Sequence, residues 1–175
     1  MNRRIFLGAA LAVASTPSFA RRTLNQTRVL SFHHLHTEER LTLTYRKGEH
    51  YQRSALARLD HLLRDFRTGD STAIDPKLFD LLFDVKQALG HDDAVFEIVS
   101  GYRSPKTNAM LRRTSGGVAK RSLHMSGKAI DIRLSDMPTR SVRDAALRLA
   151  RGGVGYYSRS DFLHLDTGNV RQWGA

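Results

Sequence analysis

Apolar and β-branched residues first appear in two short runs, Arg28-Val-Leu-Ser-Phe32 and Leu41-Thr-Leu-Thr-Tyr45, around the polar Thr37-Glu-Glu-Arg40. Two such runs about a polar turn predict a β-hairpin. The period then changes. Leu56, Leu59, Leu62, Leu63 and Phe66 recur at intervals of three and four, which predicts an amphipathic helix over about 49–67. Asp75-Pro76 carries a helix-start signal, with Asp as N-cap and Pro in the first turn. Leu78, Leu82, Val85 and Leu89 supply that helix with a buried stripe, and Gly90 ends it. Ala94 to Val99 is a short apolar strand, and Pro105 opens a further helix to about Arg113. Thr114 to Leu123 is a polar loop containing Gly116-Gly117, followed by a strand over 127–134. Thr139 opens a helix carrying Val142, Ala145, Ala146 and Leu149. The runs 152–157 and 162–166 close the pattern as a strand pair about Ser158-Arg-Ser-Asp161. The expected architecture is one α+β domain over 21–175, with helices packed on a small antiparallel sheet.

The first twenty residues stand apart from this pattern. Asn2-Arg3-Arg4-Ile5-Phe6-Leu7 is a twin-arginine motif, Ile5 to Ala14 is apolar, and Pro17-Ser18-Phe19-Ala20 offers a small-x-small cleavage site. Residues 1–20 are therefore expected to be a twin-arginine signal peptide, and the mature chain a periplasmic protein. The apolar run falls short of the ~20 residues a membrane span needs, so no transmembrane segment is expected in the mature chain. There is no cysteine, so no disulfide can hold the fold in an oxidising compartment. The formal charge is +11, and it is still +9 without Arg3 and Arg4, the only charged residues among the first twenty. A surface this basic attracts polyanions. In the periplasm both carboxylate-bearing cell wall and anionic lipid head groups answer to that, and charge alone does not choose between them. Nucleic-acid binding is expected to be no more than nonspecific.

Candidate chemistry concentrates in Ser122-Leu-His124-Met-Ser-Gly127-Lys-Ala-Ile-Asp131 and in Phe162-Leu-His164-Leu-Asp166. Side chains alternate across a strand, so Asp131 points away from Ile130 and Ile132, and His164 points away from Leu163 and Leu165. Adjacent strands would then present Asp131 and His164 to one cleft, with His124 entering from the loop. Two imidazoles and a carboxylate suit one zinc ion, and three protein ligands leave a fourth position open for water. Spacing alone fits a histidine merely hydrogen-bonded in its strand as well.

Ser100-Gly-Tyr-Arg103-Ser104, then Ser122-x-His124-x-x-Gly127-x-Ala129-x-Asp131, then Asp161-x-x-His164 resembles the zinc peptidases of the lysostaphin, D-Ala-D-Ala peptidase and hedgehog superfamily. Over the mature chain, from the hairpin to Asp166-Thr-Gly168 and Trp173, the sequence looks like the YcbK-type murein endopeptidases. The resemblance implies a hedgehog-like α+β fold, zinc held by His124, Asp131 and His164, Asp161 as general base, and Arg103 holding the substrate. The implied substrate is the peptidoglycan stem peptide, cut within its cross-links. Strand parity keeps Asp166 as a second candidate base, or as a partner orienting a ligand. Arg103 could instead stabilise an oxyanion, and Ser122 is a candidate substrate contact. A D-alanyl carboxypeptidase and a non-catalytic zinc-containing wall-binding module stay open as alternatives. A monomer is expected. His33, His34 and His36 are read as surface histidines, and Tyr156-Tyr157 as either cleft lining or packing.

Overall fold

The computed structural model describes residues 26–174, so the signal-peptide segment lies outside the described residues. Strand β1 (Thr27–His34) and strand β2 (Arg40–Lys47) form the expected hairpin, with Leu30 opposite Leu43 and Phe32 opposite Leu41. Leu30, Phe32, Leu43 and Tyr45 point into the core.

Helix α1 (Arg53–Leu62) is shorter than its apolar period suggests, because both ends of the run have other partners. His50–Tyr51 pairs with β2 as strand β3, and the Gln52 N–H donates to the Tyr45 carbonyl. At the other end the buried Asp65 accepts from the backbone N–H of Arg67 and Ser104, tying the chain into a loop. Helix α2 (Pro76–Ala88) starts as expected, with the Asp75 carboxylate accepting from the Lys77 N–H at 3.0 Å. Strand β4 is Val95–Ser100 and helix α3 is Pro105–Thr114. A 3-10 turn, Leu123–Ser126, leads into strand β5 (Ala129–Leu134), and helix α4 is Thr139–Leu149. Strands β6 (Gly153–Tyr157), β7 (Phe162–Asp166) and β8 (Arg171–Gly174) follow.

The α+β class holds, but the sheet is larger than expected and mixed. Its order is β3-β2-β1-β4-β5-β7-β6-β8, with β1–β4 and β6–β8 parallel and the other pairs antiparallel. Parallel neighbours need a crossover; α1 and α2 supply it between β1 and β4. Helix α4 packs on β5, β6 and β7. Ile130, Ile132, Leu163, Leu165 and Val154 are buried in the core with Val142, Ala145 and Ala146 of that helix. The opposite face of the same strands carries Asp131, His164 and Asp166.

One surface expectation is corrected. His34 is fully buried, its Nδ1 accepting from the His36 N–H at 3.2 Å and its ring set edge-on to Phe66. Burial pushes its pKa down to about 4, so it sits in the fold as a neutral side chain. His36 stacks on Phe66 at 4.0 Å, and His33 pairs with Glu38.

Candidate metal centre

The register aligns one row of residues across five strands: Ser100 of β4 lies beside Asp131 of β5, then His164 of β7, Gly155 of β6 and Trp173 of β8. A neighbouring row carries Ala129 beside Asp166 and, on the other flank, Gly153 beside Arg171. Paired residues share a face, so alternation brings Asp131 and His164 together as the sequence predicts. His124 arrives from the 3-10 turn, where the Ser122 hydroxyl accepts from its backbone N–H. The three form one cluster. His124 Nε2 lies 3.2 Å from Asp131 Oδ1 and 3.1 Å from His164 Nδ1, and His164 Nδ1 lies 2.9 Å from Asp131 Oδ1.

Outer partners decide which atoms face inwards. A carbonyl oxygen only accepts, so His124 donates Nδ1–H to Gly101 O at 2.7 Å, and Nε2 of the neutral ring carries a lone pair. His164 donates Nε2–H to Asp166 Oδ2 at 2.9 Å, which leaves Nδ1 as the lone pair. Burial works to raise the Asp166 pKa, but hydrogen bonds from His164, Arg171, Gly168 and Gly153 outweigh it and hold the carboxylate ionised. Burial likewise opposes ionisation of Asp131, yet the two imidazoles hold its pKa well below the usual range. Three acceptor atoms therefore converge with no donor among them, an arrangement that calls for a cation. Tetrahedral ligands ~2.0–2.1 Å from a zinc ion stand ~3.3 Å from one another, close to the observed spacings. A metal ion fits this donor set. Burial pushes the His124 pKa down, whereas at His164 the two carboxylates outweigh burial and push it up. Metal binding competes with a proton for the His164 lone pair.

Arg103 belongs to the same construction. Its Nη2 donates to Asp131 Oδ2 at 3.3 Å and lies 3.5 Å from Ser100 Oγ. The Asp131 carboxylate is thus divided, Oδ1 to the imidazoles and Oδ2 to the guanidinium. The Ser-Gly-Tyr-Arg segment supports His124 twice, through Gly101 O and through the Arg103 N–H donating to His124 O.

The two candidate bases lie differently. Asp166 is fully buried, and its oxygens accept from His164, Arg171 and the N–H groups of Gly153 and Gly168. That geometry suits the orienting role and not proton acceptance, because no oxygen is free towards the cleft. Asp161 sits in the β6–β7 turn at φ 48°, its side chain 67% exposed. Its carboxylate accepts from the Thr139 hydroxyl, while Arg133 donates to its backbone carbonyl. Its neighbours Ser160 and Phe162 line the cleft.

That cleft has a volume of 560 Å³. It is lined by Arg103 beside Asp131, by residues of the 115–124 loop that include Ser122, and by Tyr157, Phe162 and Trp173 on the His164 side. Tyr157 therefore lines the cleft, whereas Tyr156 faces Arg143 of α4 across a cation–π contact. Periodicity did not reveal strand β8, nor Arg171 and Trp173 as site neighbours. The signal that could have found them is Gly153-Val-Gly155, two glycines in alternate positions of a strand, ahead of the chain's sole tryptophan.

A family model described as peptidoglycan L,D-endopeptidase MepK matches residues 22–173. The peptidoglycan L,D-endopeptidase MepK of Escherichia coli K12 is 42% identical over 177 residues, covering 98% of this chain and 97% of the relative. The probable peptidoglycan L,D-endopeptidase MepK of Haemophilus influenzae Rd is 42% identical over 169 residues, covering 97% of this chain and 87% of its own. With near-complete coverage on both sides, the chain belongs to the peptidoglycan L,D-endopeptidase MepK family.

Proposed function

We propose that this chain is a zinc-dependent peptidoglycan endopeptidase that cuts a peptide bond between an L and a D centre in stem-peptide cross-links. The observation that carries this is the convergence of His124 Nε2, His164 Nδ1 and Asp131 Oδ1 at 2.9–3.2 Å, each held from behind, beside an open cleft. His124, Asp131 and His164 would hold one zinc ion. When bound, zinc supplies Lewis acidity: it polarises a carbonyl and lowers the pKa of water from ~15.7 towards ~7.

The remaining steps belong to the chain's own side chains. Gly101 and Asp166 keep the two imidazoles in the tautomers that face inwards. Arg103 fixes the Asp131 carboxylate and lies on the cleft wall, where its remaining donors suit a stem-peptide carboxylate or the developing oxyanion. Asp161 is the proton acceptor in this scheme. It must turn from Thr139 towards the cleft, take a proton from the attacking water, and return it to the leaving amine. Ser122, at the mouth of the site, contacts substrate. All these residues come from one chain, in keeping with a monomer. The twin-arginine motif and the basic charge support a periplasmic protein acting on an anionic wall.

Removal of Asp161 tests the assignment. Asp161→Ala should lower hydrolysis of purified sacculi by at least ~100-fold while bound zinc stays at about one equivalent. Thr139→Val, which frees the carboxylate, should keep or raise activity. Full hydrolysis by Asp161→Ala would move the proton-accepting role elsewhere.

A further inference from the structure

Strand β8 pairs with β6, yet its side chains act on β7. Arg171 reaches past Gly153 to grip Asp166, with Nη2 2.6 Å from Oδ2. Trp173 leans over Gly155 onto His164, with ring centroids 5.1 Å apart. The two glycines make this possible: a Cβ on Gly155 would lie 2.5 Å from Trp173 Cε2, and one on Gly153 would lie 2.5 Å from Asp166 Oδ2 and from Arg171 Nη1. The indole is also tied at its polar end, where Nε1–H donates to the Tyr157 hydroxyl at 3.0 Å. Tyr157 stacks on Phe162 at 4.5 Å across the turn. Three aromatic rings thus form a fixed wall on one side of the metal-binding imidazoles, with Tyr157 exposed and Trp173 half-buried. The other wall carries the Arg103 guanidinium and a loop without a single acid between Glu97 and Asp131.

We propose that Trp173, held by the Gly155 gap and by Tyr157, is a substrate-binding and specificity-determining residue. It packs against the hydrocarbon part of a stem-peptide residue on one side of the scissile amide, while a carboxylate on the other side pairs with Arg103. A polarised cleft of this kind sets the direction in which the peptide lies across the row of strands. An aromatic face gains from excluding water against alkyl groups, and a rigidly held ring loses little entropy on binding. The inference rests on the endopeptidase reading above.

Because Trp173 is the sole tryptophan, its emission reports on this wall alone. The experiment mixes the metal-loaded protein with a purified cross-linked muropeptide dimer in a stopped-flow fluorimeter and follows emission within the first turnover. Steady-state cleavage is measured alongside. Binding should shift the emission. Trp173→Ala should raise KM about tenfold, with kcat within about threefold of wild type and bound metal unchanged. Trp173→Phe should recover most of the affinity. An unchanged KM in Trp173→Ala, or a loss confined to kcat and bound metal, would overturn the proposal and reduce the indole to a prop for His164. Emission change without cleavage leaves Trp173 as a binding residue and sinks the hydrolase assignment; cleavage without emission change does the reverse.

Discussion

At the scale of single residues, the candidate metal site is shaped by the groups behind its three converging side chains. Asp166 fixes the tautomer of His164, and Arg171 together with two backbone N–H groups keeps Asp166 ionised. Asp166→Asn should therefore weaken zinc binding by ~10–100-fold, the usual cost of losing such a partner, as read by competition with a chromophoric chelator. Unchanged affinity would mean that the His164 tautomer is fixed by something else. Another buried carboxylate, Asp80, ties the hairpin to α2. Asp80 accepts from the hydroxyls of Tyr45 and Tyr51 and from Arg46 and Arg28. Burial would raise its pKa, but these donors outweigh it and the pKa is lowered. A depressed folded-state pKa contributes stability that is complete above the unfolded value of ~3.9 and is lost as pH falls through the folded value. Asp80→Asn should cost about 3 kcal/mol near neutral pH, as for a buried network losing its charge. In urea unfolding the gap to wild type should narrow below about pH 4; a gap independent of pH would count against an ionised Asp80.

At the scale of elements, the legible parts of the fold are those with local signals. Asp75-Pro76 marks the start of α2, and alternation marks β5 and β7. The overlong α1 shows the limit of periodicity. Leu63 and Phe66 keep the helical interval, but Asp65 finds backbone donors that draw the chain into a loop. The β1–β4 and β6–β8 pairings join segments distant along the chain, which no local pattern encodes. Strand β8, Arg-Gln-Trp-Gly, has no apolar alternation because two of its side chains reach across glycines to the site. At the site, parity places Asp131 and His164 on one face with His124 entering from the loop. Spacing leaves a plain hydrogen-bonded histidine open, and the family resemblance singles out the three as a ligand set. Of their outer partners, strand parity marks Asp166, whereas a carbonyl such as Gly101 O or a side chain beyond a glycine, such as Arg171, leaves no mark on spacing. Gly155→Ala tests the element-level claim. The added methyl must displace the indole, so tryptophan emission should shift in the free protein, with metal still bound. An unshifted spectrum would show that the gap is not what seats Trp173.

At the scale of the whole molecule, a single mixed sheet divides the labour between its faces: a helix-packed core on one and a row of functional side chains on the other. Among the described residues no helix is long and apolar enough to cross a membrane. Arg112, Arg113, Lys120 and Arg121 are exposed on or beside the acid-free loop, and Arg121 lines the cleft. Exposed charges are screened over ~8 Å at physiological ionic strength and ~3 Å at 1 M salt. Binding to sacculi should accordingly weaken several-fold in pelleting assays between low salt and 1 M, with little change in the cleavage of a small soluble muropeptide. The central claim is that hydrolysis depends on one metal ion held by His124, Asp131 and His164. Its most direct measurement is mass spectrometry of the fragments released from sacculi by metal-loaded, chelator-stripped and zinc-restored protein. Cleavage within the cross-link, abolished by stripping and restored by about one equivalent of zinc, is the predicted result. Stripped protein that releases the same fragments at the same rate would contradict it.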